Sequence, residues 1–206
     1  PAVTLFFPLE IAITITAIVH LANNLFKVAL LGRDTSVGVL LRFGLPAIVA
    51  AVIGATLLSQ LSIISPLFQY SALGNTFSIA PMKLVIGILI LIFVFLETSP
   101  LLSTIKLDKK YLPLGGIISG FFGGLSGHQG ALRSMFLIRA GLNKEQFIAT
   151  GVMLAIMVDV ARMIIYGGDI LQTNTSIAWP PVICATLAAF AGTYFGKKLI
   201  PKVTIR

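Results

Sequence analysis

Apolar segments about as long as a bilayer is thick recur through this chain, and they constrain its fold more than any single motif. A helix that crosses the hydrocarbon core needs about 20 mostly apolar residues. Five segments approach that length: residues 9–31, 43–63, 81–96, 145–166 and 178–196. Only 11% of the 206 residues are charged, against about a quarter in soluble domains. Too few polar side chains remain to cover a soluble core, so the sequence predicts an all-α integral membrane protein.

A sixth apolar stretch, residues 111–127, breaks the pattern. It carries glycines at 115, 116, 120, 123, 124 and 127, and it runs through "GFFGGLSGHQGALRS" (residues 120–134) toward Arg133 and Arg139. A continuous crossing through both arginines is costly, roughly 2.5–3.5 kcal/mol for each one placed at the bilayer centre. A glycine-broken, re-entrant hairpin avoids that cost, because irregular backbone is tolerated at membrane depth where it lines a cavity within protein.

Basic residues at the ends of the spans point the same way. If residues 111–140 enter and leave on one side, the cytoplasmic face collects Arg33, Arg42, Lys106, Lys109, Lys110, Arg133, Arg139 and Lys144. Lys197, Lys198, Lys202 and Arg206 in the tail join them, which puts the C-terminus in the cytoplasm and the protein in the inner (plasma) membrane. Residues 65–80 and 167–178, on the opposite face, hold no Lys or Arg; Lys83 is the exception to the trend. The net charge of +8 therefore marks the flanks of spans and implies no nucleic-acid partner. Cys184 is the only cysteine, so there is no disulfide framework or cysteine metal site, and no cofactor is expected.

The chain also repeats itself. "LEIAITITAIVHLANNLFKVALLGRD" aligns without a gap on "KEQFIATGVMLAIMVDVARMIIYGGD". Glu10 meets Glu145, Asn24 meets Asp159, Lys27 meets Arg162, Gly32 meets Gly167, Asp34 meets Asp169 and, further on, Pro46 meets Pro181. The rare polar residues match, which shared hydrophobicity does not explain. With the topology above, the two copies run in opposite directions, as residues 1–105 and 106–206. Inverted repeats with broken segments at their interface are the build of many secondary transporters, with the substrate near the midplane. In this register Pro1 meets Phe136, so the first copy's own glycine break is expected upstream of Pro1.

Two sets of residues are candidates for a binding site. Asn24 and Lys27, and in register Asp159 and Arg162, stand at i and i+3 on one helix face. Ionisable residues within a span are functional candidates by default. The competing account is a self-satisfied Asp159–Arg162 pair, with Lys27 snorkelling to the cytoplasmic surface. The second set is Gly124, Ser126, Gly127, His128, Gln129, Gly130, Arg133 and Ser134 in the glycine break. There the second half-helix offers free N–H groups and the positive end of its dipole, which favour an anion. The competing account is a packing loop whose glycines let helices approach. Histidine ordinarily changes charge near neutral pH, so a residue such as His128 offers a way to couple flux to protons, although a hydrogen-bonded structural histidine reads as well. His20 reads as structural, and Glu10 and Glu145 as residues at helix starts.

"GGLSGHQGALRSMFLIRAGLNKEQFIATG", with "FFPLEIAITITA" as its first-half counterpart, resembles the sulfite exporter TauE/SafE family of membrane permeases. The resemblance covers nearly the whole chain. It implies a secondary transporter, not an enzyme, that moves small sulfur-containing anions such as sulfite, sulfoacetate or thiosulfate without an ATPase domain. Family members often carry a proline and more glycines where this chain has His128-Gln129-Gly130-Ala131, which leaves the anion open. Arg133 and Arg162 suit an oxyanion, because a guanidinium matches its geometry with two parallel donors.

Two other readings compete. An anion channel on the same architecture fits the same residues. "GLSG" at residues 124–127 also fits the motif of rhomboid-like intramembrane serine proteases, with Ser126 as nucleophile. That arrangement needs a histidine base on a later helix, and none follows His128.

Overall fold

A computed structural model describes residues 3, 6–7, 9–72, 74–99, 108–127, 129–173 and 179–199. The chain is mostly helical. Its helices are α1 (Leu9–Leu31), α2 (Val37–Ile63), α3 (Pro81–Thr98), α4 (Leu112–Ser126), α5 (Gly130–Leu137), α6 (Lys144–Thr173) and α7 (Trp179–Leu199). Stretches within or overlapping α1, α2 and α6 (Ile11–Asp34, Val37–Ile63 and Lys144–Gly168) are long and apolar enough to cross a membrane. The apolar part of α3, Pro81–Phe95, is shorter. At 21 residues α7 is long enough, but Pro180, Pro181, Tyr194 and its glycines dilute its apolar character.

Helix ends follow local chemistry. Pro81 and Pro113 stand in the first turns of α3 and α4, where a missing N–H costs nothing. α2 starts at Val37, earlier than the expected residue 43, because Arg42 lies exposed on its surface and does not interrupt the helix. The expectation of an all-α fold needs one correction. Residues 65–80 contain an antiparallel hairpin of β1 (Phe68–Ala72) and β2 (Asn75–Ile79), with Gly74 at φ +75° in its turn. Tyr70 stands opposite Phe77, and their rings stack with centroids 5.4 Å apart. Aromatic cross-strand pairs of this kind hold a short hairpin together.

The centre of the molecule is a backbone-to-backbone contact between α2 and α4. A Cβ on Gly116 would collide with the carbonyl of Phe43, one on Gly120 with that of Ala47, and one on Gly124 with that of Ala51. Both sets advance by four residues, so the helices run parallel and touch along three successive turns. From α2, Gly54 returns the contact against Phe121 and Leu125. Small residues let helices approach this closely where lipid leaves no hydrophobic force between them.

α5 folds back along α4. The Phe136 ring lies against Gly115, Ser119 Oγ donates to the carbonyl of Gln129 at 3.3 Å, and Lys109 Nζ reaches Gly141. The chain therefore leaves this hairpin at the end where it began. α6 then starts at that same end and runs parallel to α2: the Ser36 N–H donates to Thr150 Oγ1 at 2.9 Å, and Gly44 packs on Leu154 and Met157. α1 runs antiparallel to α6, because Asn24 meets Asp159 while Ser36, further along the chain, meets Thr150. α7 packs against α1 through the Phe26–Phe190 stack (4.5 Å) and a Thr193–Asn23 hydrogen bond of 2.7 Å. Phe43, Ala47, Ala51, Phe136, Leu154 and Val158 form one core, and Leu58, Met82, Ile86, Phe93, Leu125 and Tyr166 a second beneath α3.

Gly120→Ala should test this contact, because even a methyl group has no space at that position. The expected loss meets or exceeds the ~1–3 kcal/mol usual for overpacking, read as a lower melting temperature of the detergent-solubilised protein. Gly192→Ala on α7, where a Cβ meets nothing within 4 Å, should melt no lower than the parent chain. Equal melting of the two variants would contradict the packing.

Candidate functional site

Gly127 ends α4 in the left-handed region, at φ +78°, with its N–H bonded to the carbonyl of Gly123 at 2.9 Å. Glycine is required there twice over. The conformation disfavours a side chain, and a Cβ would strike the Arg162 guanidinium, which packs against the turn. α5 begins three residues later at Gly130, and Arg133 projects from its first turn.

Below this turn the helices bring polar side chains into a buried cluster. Asn24 Nδ2 donates to Asp159 Oδ2 at 2.8 Å, and Arg162 Nη2 pairs with Asp159 Oδ1 at 3.2 Å. The Asp159 and Arg162 side chains are only 2% and 3% exposed, so both charges are held out of solvent. Lys27, one turn along α1 from Asn24, is half-buried. Its charge is repelled by Arg133, and both are attracted by Asp159. Arg133 Nε also passes close to Gly151 of α6. Three cations thus surround one carboxylate whose two oxygens are already engaged. Arg133 Nη1 and Arg162 Nε are buried and have no hydrogen-bond partner among the described residues. An unsatisfied buried donor costs ~1–3 kcal/mol, and more when it is charged. The arrangement suits a ligand that brings negative charge and several acceptor oxygens.

The expected residues divide clearly. Asn24, Lys27, Arg133, Asp159, Arg162 and Gly127 come together, whereas Gly124 packs on Ala51 and gives its carbonyl to Tyr166. Gln129 is buried beside Gly123 and lends its backbone carbonyl to Ser119. Ser126 Oγ donates to the carbonyl of Phe122 at 3.1 Å, a bond within its own helix. Gly130 is exposed with open space around it, and Ser134 accepts the backbone N–H of Ile138. His128 lies outside the described residues. His20 is exposed on α1, and Glu145 is exposed in the first turn of α6, as a helix-start residue should be.

Tyr166, a residue that sequence reasoning missed, buttresses the end of α4 beside the cluster. Its hydroxyl donates to the Gly124 carbonyl at 2.6 Å, tying α6 to the end of α4. The signal was available, because Tyr166 follows Arg162 by four residues and so shares its face. The Ser36–Thr150 bond was also missed; nothing in either segment's pattern pairs them.

Removing one partner of a buried ion pair should be worse than removing both. Asp159→Ala should cost about 3–5 kcal/mol, because Arg162 is left buried beside two other cations. Asp159→Leu combined with Arg162→Met should recover most of that loss. The measurement is thermal melting in detergent; a single variant no less stable than the double would contradict the buried pair.

The sequence profile of the sulfite exporter TauE/SafE family matches residues 1–206, the whole chain. No curated protein sequence and no solved structure matches it. Long apolar helices, a folded-back glycine hairpin and a buried cationic cluster stand together with this match: the chain is a membrane protein of the sulfite exporter TauE/SafE family.

Proposed function

We propose that the protein is a secondary transporter that carries a small sulfur-containing anion, such as sulfite, sulfoacetate or thiosulfate, across the inner membrane. The observation that carries this reading is the excess of cations over carboxylates: the buried Arg162, Arg133 and the half-buried Lys27 stand around Asp159, and among the described residues two buried guanidinium nitrogens have no protein partner. The anion takes those open donors, and Asp159 keeps Arg162 in place when the site is empty. Guanidinium forks match the oxygens of a sulfur oxyanion two at a time. The family match supports the substrate class.

In this reading residues 1–105 and 106–206 are two inverted halves, and the α4–α5 hairpin is the re-entrant segment of the second. Support comes from the register of the repeat. Asn24 and Asp159 are equivalent positions, 135 residues apart, and they are hydrogen-bonded to each other on antiparallel helices. Equivalent residues meet in this way where they lie on a pseudo-two-fold axis between halves. The anion site beside that axis is reached from either face as the halves rock. The cytoplasmic side is the one that holds Lys109, Arg139, Lys144 and the C-terminus.

Proteoliposomes carrying the protein should take up radiolabelled sulfite saturably, with thiosulfate or sulfoacetate competing and chloride failing to compete. Arg133→Ala should lower uptake by at least about tenfold, as loss of a charge-assisted hydrogen bond to the substrate predicts, and should leave the protein folded. Uptake that does not saturate, or that Arg133→Ala leaves unchanged, would contradict the assignment.

A further inference from the structure

We infer that this site is matched to a dianion and that Lys27 sets that charge selectivity. The inference rests on the anion-site reading above and goes on to name the charge state of the ligand. Lys27, one turn along α1 from Asn24 and half-buried, contributes with Arg133 and Arg162 three positive charges, and Asp159 one negative charge, which leaves two positive charges uncompensated among the described residues. Both oxygens of Asp159 already have a partner, Oδ1 in Arg162 and Oδ2 in Asn24. Among the described residues no carboxylate lies within ion-pair distance of Lys27 or Arg133.

The repeat register explains how the count arises. Position 24 holds a neutral Asn where its mate, position 159, holds Asp. A second carboxylate at position 24 would leave a surplus of one, suited to a monoanion. Asn keeps the hydrogen bond across the axis and omits the charge.

A dianion neutralises the cluster. A monoanion leaves one buried charge uncompensated, and uncompensated charge is costly at low dielectric. The three cations do different work. The guanidinium groups of Arg133 and Arg162 supply forked donors that fit oxygens, whereas Lys27 is a point charge on a flexible stem that adds charge with little geometric demand. Lys27 is therefore a specificity-determining residue: removing it lowers the surplus to one and leaves both forks in place.

The test uses pairs of anions of similar shape that differ by one charge: sulfite and methanesulfinate, sulfate and methanesulfonate, sulfoacetate and its methyl ester. Affinities are read from ligand-induced melting shifts of the full chain in detergent, at an alkaline pH where sulfite is fully ionised. In the parent protein at least one dianion should bind about tenfold or more tighter than its singly charged partner. In Lys27→Gln that ratio should collapse toward unity, and in Lys27→Arg it should persist. Equal affinity within every binding pair of the parent protein would overturn the inference and leave the anion site standing; this comparison needs no variant to fold. A ratio unchanged in Lys27→Gln would overturn the role of Lys27. If none of the six anions binds the folded parent protein, the anion-site reading falls and takes the inference with it.

Discussion

Everything in this molecule is arranged around the line where α4 lies on α2 with no side chain between them. Gly116, Gly120 and Gly124 place their backbone directly on the carbonyls of Phe43, Ala47 and Ala51. In lipid, helices gain little from burying apolar surface against one another, so close backbone packing and polar bonds must hold them together. The stripe fixes the depth and rotation of α4. That in turn places the Gly127 turn over Arg162 and puts the Gly124 carbonyl within reach of Tyr166. The position of the charged cluster is thus a consequence of glycine spacing.

The cluster itself is a poor way to stabilise a fold. A buried ion pair roughly breaks even against a well-packed apolar pair of the same volume, and extra unpaired cations make the balance worse. The chain nevertheless buries Asp159 and Arg162 almost completely, and among the described residues donors on Arg133 and Arg162 are unmatched. Stability given up at one place, in a chain otherwise closely packed, is what the proposed anion site would require. Asp159 serves both needs: it anchors Arg162 and, through Asn24, joins α1 to α6.

Much of this was legible in the residues. α1 spans Leu9–Leu31 as its unbroken apolar run requires, and α4 occupies Leu112–Ser126, close to the expected stretch 111–127. Asn24 and Asp159 stand out in the sequence as polar residues within apolar spans, and they meet where α1 crosses α6. The β-hairpin was not legible. Its two strands are five residues each, and in a stretch read mainly for its lack of Lys and Arg the aromatic alternation was too short to stand out. At the tip of the hairpin the expected residues are spread out, with Gly130 exposed and Ser126 bonded within its own helix. Ser126 is the last residue of α4, and a hydroxyl near the end of a helix bonds readily to the carbonyl one turn back, as Ser126 does with Phe122. Tyr166 was passed over because an aromatic residue in an apolar run looks like core; only its facing, one turn beyond Arg162, distinguishes it.

The central claim is that an anion binds beside the tip of the α4–α5 hairpin, among the cations of α1, α5 and α6. Gly130 lies at that tip, exposed and with space for a side chain. The most direct measurement is the rate at which maleimide labels Gly130→Cys in a Cys184→Ser background, with and without saturating sulfate or sulfoacetate. The account predicts that one of these anions slows labelling markedly while chloride does not. Labelling at the same rate with every anion, in protein that still transports sulfite, would place the substrate elsewhere and contradict the account.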